Sequence, residues 1–229
     1  MNMLIAEDLT LLLLDDHSGV LKSSAVIVPL LGGALLVDLT LSGQVAVEDK
    51  PKGLFKTAKV LVTGSEPASD PLLRQAMATI SSKPRGASDL VMRLGRGVKQ
   101  PVITRLVERG LITQSRESIL GIFTATRWPA TPEGGSTAGY EGEVRRSLVA
   151  MLAGQRAPDP RGAAVVGLLT ATDAVHRVLP VPGLSNREVK ARAKKISEGN
   201  WATKAVRDVI VATSAAASAA AVAAASAGS

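Results

Sequence analysis

The chain has no cysteine, only two histidines, and aromatic side chains at 2% of its residues. Without cysteine there is no disulfide, no thiolate nucleophile and no cysteine-ligated metal, a usage that suits a reducing compartment. His17 and His176 alone are too few for most zinc sites or histidine-based catalysis. The scarcity of aromatics argues against a stacking platform for single-stranded nucleic acid. Glycine-rich phosphate loops are also missing. The nearest match, Gly95-Arg-Gly97, would need a third glycine at position 100, which is Gln100. No G-x-S-x-G nucleophile elbow occurs. Asp15-Asp16 is a carboxylate pair with no further ligand cluster in the sequence. The expectation is a binding protein rather than an enzyme, with no cofactor and no metal.

Long apolar runs are scarce as well. The N-terminal run covers only Leu11 to Leu14, with acids on both sides, and fits neither a signal peptide nor a membrane span. The 21 residues after Asp208 are uncharged but mostly alanine and serine, which gain little from hydrocarbon. They read as an Ala/Ser-rich helix or tail over 212–229, following a single domain over 1–211. The expected location is cytoplasmic.

What is present is a 46% apolar chain of 229 residues, enough to bury a real core. Its net charge of +7 is uneven. Residues 83–116 carry 8 basic and 2 acidic groups, and residues 187–207 carry 7 basic and 2 acidic. Two basic islands in an otherwise neutral or acidic chain point to a polyanion: nucleic acid, an acidic protein or an anionic membrane. Solvated helical faces would give the same count.

Periodicity predicts a mainly α fold, a helix bundle with two small β-hairpins. Leu9, Leu12 and Leu13 recur at helical spacing, and Asp15 to Gly19 forms a turn. A buried helix from Pro29 to Leu41 ends at Ser42-Gly43. Strands follow at 44–47 and 58–62. Pro71 to Ile80 is a helix, and Ser88 caps a short helix with Leu90, Val91 and Leu94 inward. Pro101 opens the next helix and Gly110 closes it. A second hairpin is expected with strands at 111–113 and 119–124 around a turn at 114–118. Leu39 to Val45 thus parallels Leu106 to Ile112, which suggests an internal repeat. Further helices are expected at 144–152, 161–179 and 187–196, with Trp201 opening a last one.

The first basic island holds the strongest candidate site. Arg93 and Arg96 are three apart and share a face where the helix continues. Lys99 follows just before Pro101, and a helix N-terminus favours an anionic phosphate. A second reading is a winged-helix nucleic-acid binder, with Arg105 and Arg109 on one face of a recognition helix. A third is an interaction scaffold with no lipid role.

In order along the chain stand Leu9-Thr-Leu-Leu-Leu-Leu-Asp-Asp-His-Ser-Gly19, then Gly33-Ala-Leu-Leu-Val-Asp-Leu-Thr-Leu-Ser-Gly43-Gln-Val. After them come Leu106-Val-Glu-Arg-Gly110-Leu-Ile-Thr and Leu168-Leu-Thr-Ala-Thr-Asp-Ala-Val-His-Arg-Val-Leu179. Together these blocks resemble the Golgi phosphoprotein 3 family, in a bacterial form, from about residue 6 to 211. The resemblance implies one mainly helical domain with β-hairpins. It implies a peripheral membrane protein that binds phosphatidylinositol 4-phosphate, or a similar anionic headgroup, and serves as an adaptor for cytosolic tails of membrane proteins. The family's two pocket arginines ahead of the L-V-E-x-G block fall on Arg96 and Lys99. Its tryptophan and first arginine fall on Ser23 and Gly32, so half of the family pocket is not retained, although Lys22 stands beside Ser23. The headgroup candidates are therefore Arg96, Lys99, Arg93 and Lys22. The family's self-association hairpin falls on Ser115 to Thr126, with Ser115, Arg116, Ile119, Leu120, Ile122 and Phe123 as its contact residues. Partners implied are an anionic phospholipid surface, cytosolic protein tails and a second copy of the chain; nucleic acid is the weaker partner. Trp128, in Arg127-Trp-Pro129, is either a membrane anchor or a cap on the core.

Overall fold

The computed structural model describes residues 3–22, 24–48, 58–64, 68–119, 123–135 and 139–198. The architecture is mainly helical with two small antiparallel sheets. At its centre is α2 (Ile27–Leu41), apolar on nearly every side, with 12 of its 15 residues buried. A helix hydrophobic all round must be wrapped. Here α1 (Ile5–Leu13), α3 (Pro71–Ser82), α4 (Ala87–Gly95), α5 (Lys99–Glu108) and α7 (Pro160–Ala171) all pack against it.

The closest crossing is with α4, and two glycines permit it. A Cβ on Gly32 would lie 1.9 Å from the Val91 carbonyl oxygen, and one on Gly95 would lie 1.8 Å from that of Val28. The two backbones touch, so position 32 has no room for any side chain.

The two helix–glycine units share one stop. Gly43 and Gly110 both adopt φ of 71°. Gln44 N–H donates to the Leu39 carbonyl and Gly43 N–H to that of Thr40; Leu111 and Gly110 bond to Leu106 and Val107 in the same way. Each is a Schellman cap, which explains the parallel Leu-x-x-x-Gly spacing. Beyond the cap the units diverge. The first enters β1 (Val45–Val47), which pairs with β2 (Lys59–Val62), itself paired with β3 (Arg85–Gly86). In the second, Leu111–Thr113 is not a ladder strand; Ile112 makes an isolated bridge to Ala130. The hairpin is β4 (Ser115–Ile119) against β5 (Phe123–Arg127), with Ser115 opposite Arg127 and Ile119 opposite Phe123. The expected turn at 114–118 is therefore the first strand. Period-2 patterning leaves that slip open until a partner sets the register.

Other expectations shift by small amounts. Gly86, not Ser88, is the N-cap of α4. The expected helix over 161–179 divides into α7 and α8 (Val175–Val178), with Asp173 at φ 53° in the break. Before them runs α6 (Tyr140–Ala153), and after them α9 (Asn186–Ile196). Ser185 and Glu188 form a capping box at the start of α9. The helix expected from Trp201 lies outside the described residues, as does the tail over 212–229. Among the described residues no helix is long and apolar enough to cross a membrane.

Candidate functional site

The basic residues of the first island split into two populations. Arg85 and Arg93 both reach Asp89, at 3.4 and 2.9 Å. Arg105 and Arg109 turn inward to Glu7, at 3.2 and 3.1 Å, and Arg105 also meets Asp70 at 2.7 Å. Glu7 is 0% exposed and additionally accepts the Leu4 N–H at 2.7 Å. Burial works against the Arg105 cation, but its bonds to Asp70 and Glu7 outweigh this and raise its pKa. Both guanidinium groups are thus engaged by acids of α1 and the start of α3.

That leaves the junction between α4 and α5. The helix ends at Gly95; Arg96 has ψ of 125° and Gly97 has φ of 77°. Arg93 and Arg96 therefore do not share a helical face, although both line one shallow recess beside α3. Arg96 is exposed and has no ion pair among the described residues. Lys99, not Pro101, is the first residue of α5. Pro101 is the third, where its missing N–H still falls among those without an intrahelical acceptor.

Lys99 also meets an aromatic ring. Its Nζ lies 5.5 Å from the centroid of Trp128, within cation–π range. Trp128 is half-buried and packs against the core. Its backbone N–H donates to the Gly19 carbonyl at 3.1 Å. Gly19 permits that contact: it has φ of 59°, and a Cβ there would sit 2.3 Å from the Trp128 nitrogen. The turn from Asp15 to Lys22 is thereby fastened to the segment that carries Trp128. Lys22 itself is exposed and pairs with Asp15 at 3.1 Å. Hydrogen bonds from the Ser18 backbone and side chain, together with Lys22, hold the Asp15 carboxyl well below the usual carboxylate range.

The structure thus brings Lys99, Trp128 and the Lys22 turn to one place, with Arg96 three residues before Lys99. Arg93 stays with Asp89. Of the two positions on which the resemblance placed the family's arginine and tryptophan, Gly32 sits in the α2–α4 crossing, where a side chain has no room, and Ser23 lies outside the described residues. Sequence reasoning singled out Trp128 but did not connect it to Lys99. The hairpin residues Ser115, Arg116, Ile119 and Phe123 do fall in paired strands; Leu120 and Ile122 lie outside the described residues.

A second charged cluster went unread in the sequence. Asp8, on α1, accepts from the Tyr140 hydroxyl at 2.9 Å and from Arg161 at 2.6 Å. Arg161 also reaches the Met3 carbonyl at 2.7 Å and Asp38 at 3.5 Å. Burial raises the Asp8 pKa and pushes Asp38 up to about 7, with Arg161 opposing both. Glu141, paired with Arg145, is likewise raised by burial to about 7. Among the described residues no group of His, Asp or Glu is arranged to hold a metal ion.

The family model for Golgi phosphoprotein 3 (GPP34) matches residues 5–213. A search of curated proteins finds no match to the chain.

Proposed function

Because the chain belongs to the Golgi phosphoprotein 3 family, we propose that it is a peripheral membrane protein that binds anionic phospholipid headgroups through Arg96 and Lys99. Phosphatidylinositol 4-phosphate is the headgroup that the family suggests. The supporting observation is the Lys99–Trp128 pair at the start of α5, three residues after an exposed Arg96 that has no ion pair among the described residues. A half-buried tryptophan with a cation over its ring suits the wet, partly apolar level of a bilayer surface. In this reading Trp128 supplies the aromatic contact that the family places at the position of Ser23. Lys22 joins when Asp15 releases it. The role is binding and adaptation at a cytoplasmic membrane face, without catalysis.

Magnitude sets a condition on this reading. A basic residue near an anionic surface contributes about 1 kcal/mol. Three of them give about 3 kcal/mol, an affinity weaker than about 1 mM. Stable attachment therefore needs a second element. Self-association through β4–β5 supplies one, because linked copies bind with avidity.

The experiment is vesicle flotation at physiological salt, with phosphatidylcholine vesicles alone and doped with phosphatidylserine or phosphatidylinositol 4-phosphate. Arg96→Glu with Lys99→Glu is expected to abolish flotation with both doped vesicles. Undiminished flotation of the double variant removes the site. Preference for phosphatidylinositol 4-phosphate at equal charge supports headgroup recognition; equal binding reduces the reading to general anionic attraction.

A further inference from the structure

Away from the α4–α5 junction, one recess is bordered by cations and, among the described residues, by no carboxylate. It lies where the end of α6 and the following residues 154–158 meet α9, with a volume of about 670 Å³. Its floor is Ile196 with the edges of Met151 and Leu152; its rim carries Arg156, Arg192 and Lys195. Arg192 and Lys195 stand one turn apart on α9. The Arg192 guanidinium donates to the Leu152 carbonyl at 3.0 Å, which holds it beside the floor. Arg156 is exposed and only loosely shared with Asp159, at 3.6 Å. Lys195 is exposed and has no ion pair among the described residues. The one acid of α9, Glu188, is occupied by the Ser185 backbone and hydroxyl at the helix start.

An apolar floor with three cations around it calls for a ligand that is apolar and anionic at once. We propose that this recess docks an acidic peptide segment of a partner protein. One apolar side chain seats on Ile196, and flanking carboxylates meet Arg156 and Lys195. The complementarity is of charge. A bilayer surface fits less well, because Met151 and Leu152 are almost wholly buried and the exposed positions of α9 are polar or alanine. Interfacial helices insert bulky apolar side chains, and α9 has none facing out. The proposal stands apart from the membrane reading, since none of its residues belongs to the Arg96–Lys99 site.

The test uses the full chain and a fluorescein-labelled peptide of mixed Glu and Leu, read by anisotropy at physiological salt. A twin peptide with Gln for every Glu is the control. The acidic peptide is expected to bind about tenfold or more tighter than its twin. Lys195→Glu should weaken it by about tenfold and Arg156→Gln by a few-fold, with the circular dichroism spectrum unchanged. Arg96→Glu should leave it as it was. Three results overturn the proposal: no binding of the acidic peptide, equal binding by the Lys195→Glu and Arg156→Gln proteins, or an equal loss with Arg96→Glu, which would mean attraction to net charge alone. Loss of vesicle flotation in the Lys195→Glu protein, with no peptide bound, would reassign the recess to the membrane.

Discussion

Arginine does opposite work on the two sides of α5. In its last turn and at its C-cap, Arg105 and Arg109 are drawn inward by Glu7, a carboxylate with no solvent exposure. Just before its first turn, Arg96 faces solvent with no ion pair among the described residues. Both regions belong to the same run of positive charge, yet one stabilises the fold and the other is available to a ligand. A count of basic residues therefore overstates the charge a partner meets. The neutralising acids come from α1 and from the start of α3, far away in sequence, so no local window shows the cancellation.

Breaking the buried side of that contrast has the largest expected effect. Glu7→Ala leaves Arg109 without its anion, Arg105 with Asp70 alone, and the Leu4 N–H without its acceptor. Loss of one partner of a buried pair costs about 3–5 kcal/mol, and thermal unfolding should drop by about 10 °C. A change below about 1 kcal/mol would mean the network is wet, and the two regions would no longer differ.

The second effect depends on pH. Asp38 and Glu141 hold their protons up to about 7 in the folded chain, whereas an unfolded carboxyl loses its proton near pH 4. Between those values the folded state binds more protons, so their contribution to stability falls as pH rises through 7 and is full below about 4. Asp38→Asn should remove its share, on the order of 4 kcal/mol. The melting temperature, followed from about pH 4 to pH 8, should decline less steeply than in the parent chain. A steeper decline would reverse the assignment.

The exposed side should give the mirror result. Arg96→Ala with Lys99→Ala is expected to change stability by no more than about 1 kcal/mol, mostly through the Trp128 contact, while flotation with anionic vesicles is lost. Unfolding on a scale like that of Glu7→Ala would show that these cations also hold the fold. Smallest of all, Arg93→Ala removes an exposed pair with Asp89 and should alter stability by less than about 1 kcal/mol. Its flotation decides whether Arg93 leaves Asp89 for a headgroup: reduced binding says that it does, and unchanged binding confines it to α4.

Much of the architecture was legible because its signals are local. The glycine stops of α2 and α5, the apolar span of α2 and the basic face of α9 each lie within a few residues, where helix periodicity and cap chemistry act. The second hairpin was misread by several residues, since either register keeps β-prone side chains in alternation. The break before α8 was missed because Thr172 to Ala174 carries neither glycine nor proline; Asp173 takes the left-handed conformation instead. At the candidate site, Arg96 and Lys99 were candidates from sequence. The contact of Lys99 with Trp128 was not, because nothing local relates residues on α5 to the strand end beyond β5.

Sequence alone determined the helical class, the family and the position of the positive charge, all of which follow from residue type and short-range spacing. Tertiary structure decided which of those charges are already spent. Electrostatic pairing depends on distance through space rather than along the chain, and burial at α1 turns Glu7 into a strong claimant on two arginines. Folding thereby divides one basic stretch into a structural half and an exposed half, a division invisible before the helices are packed.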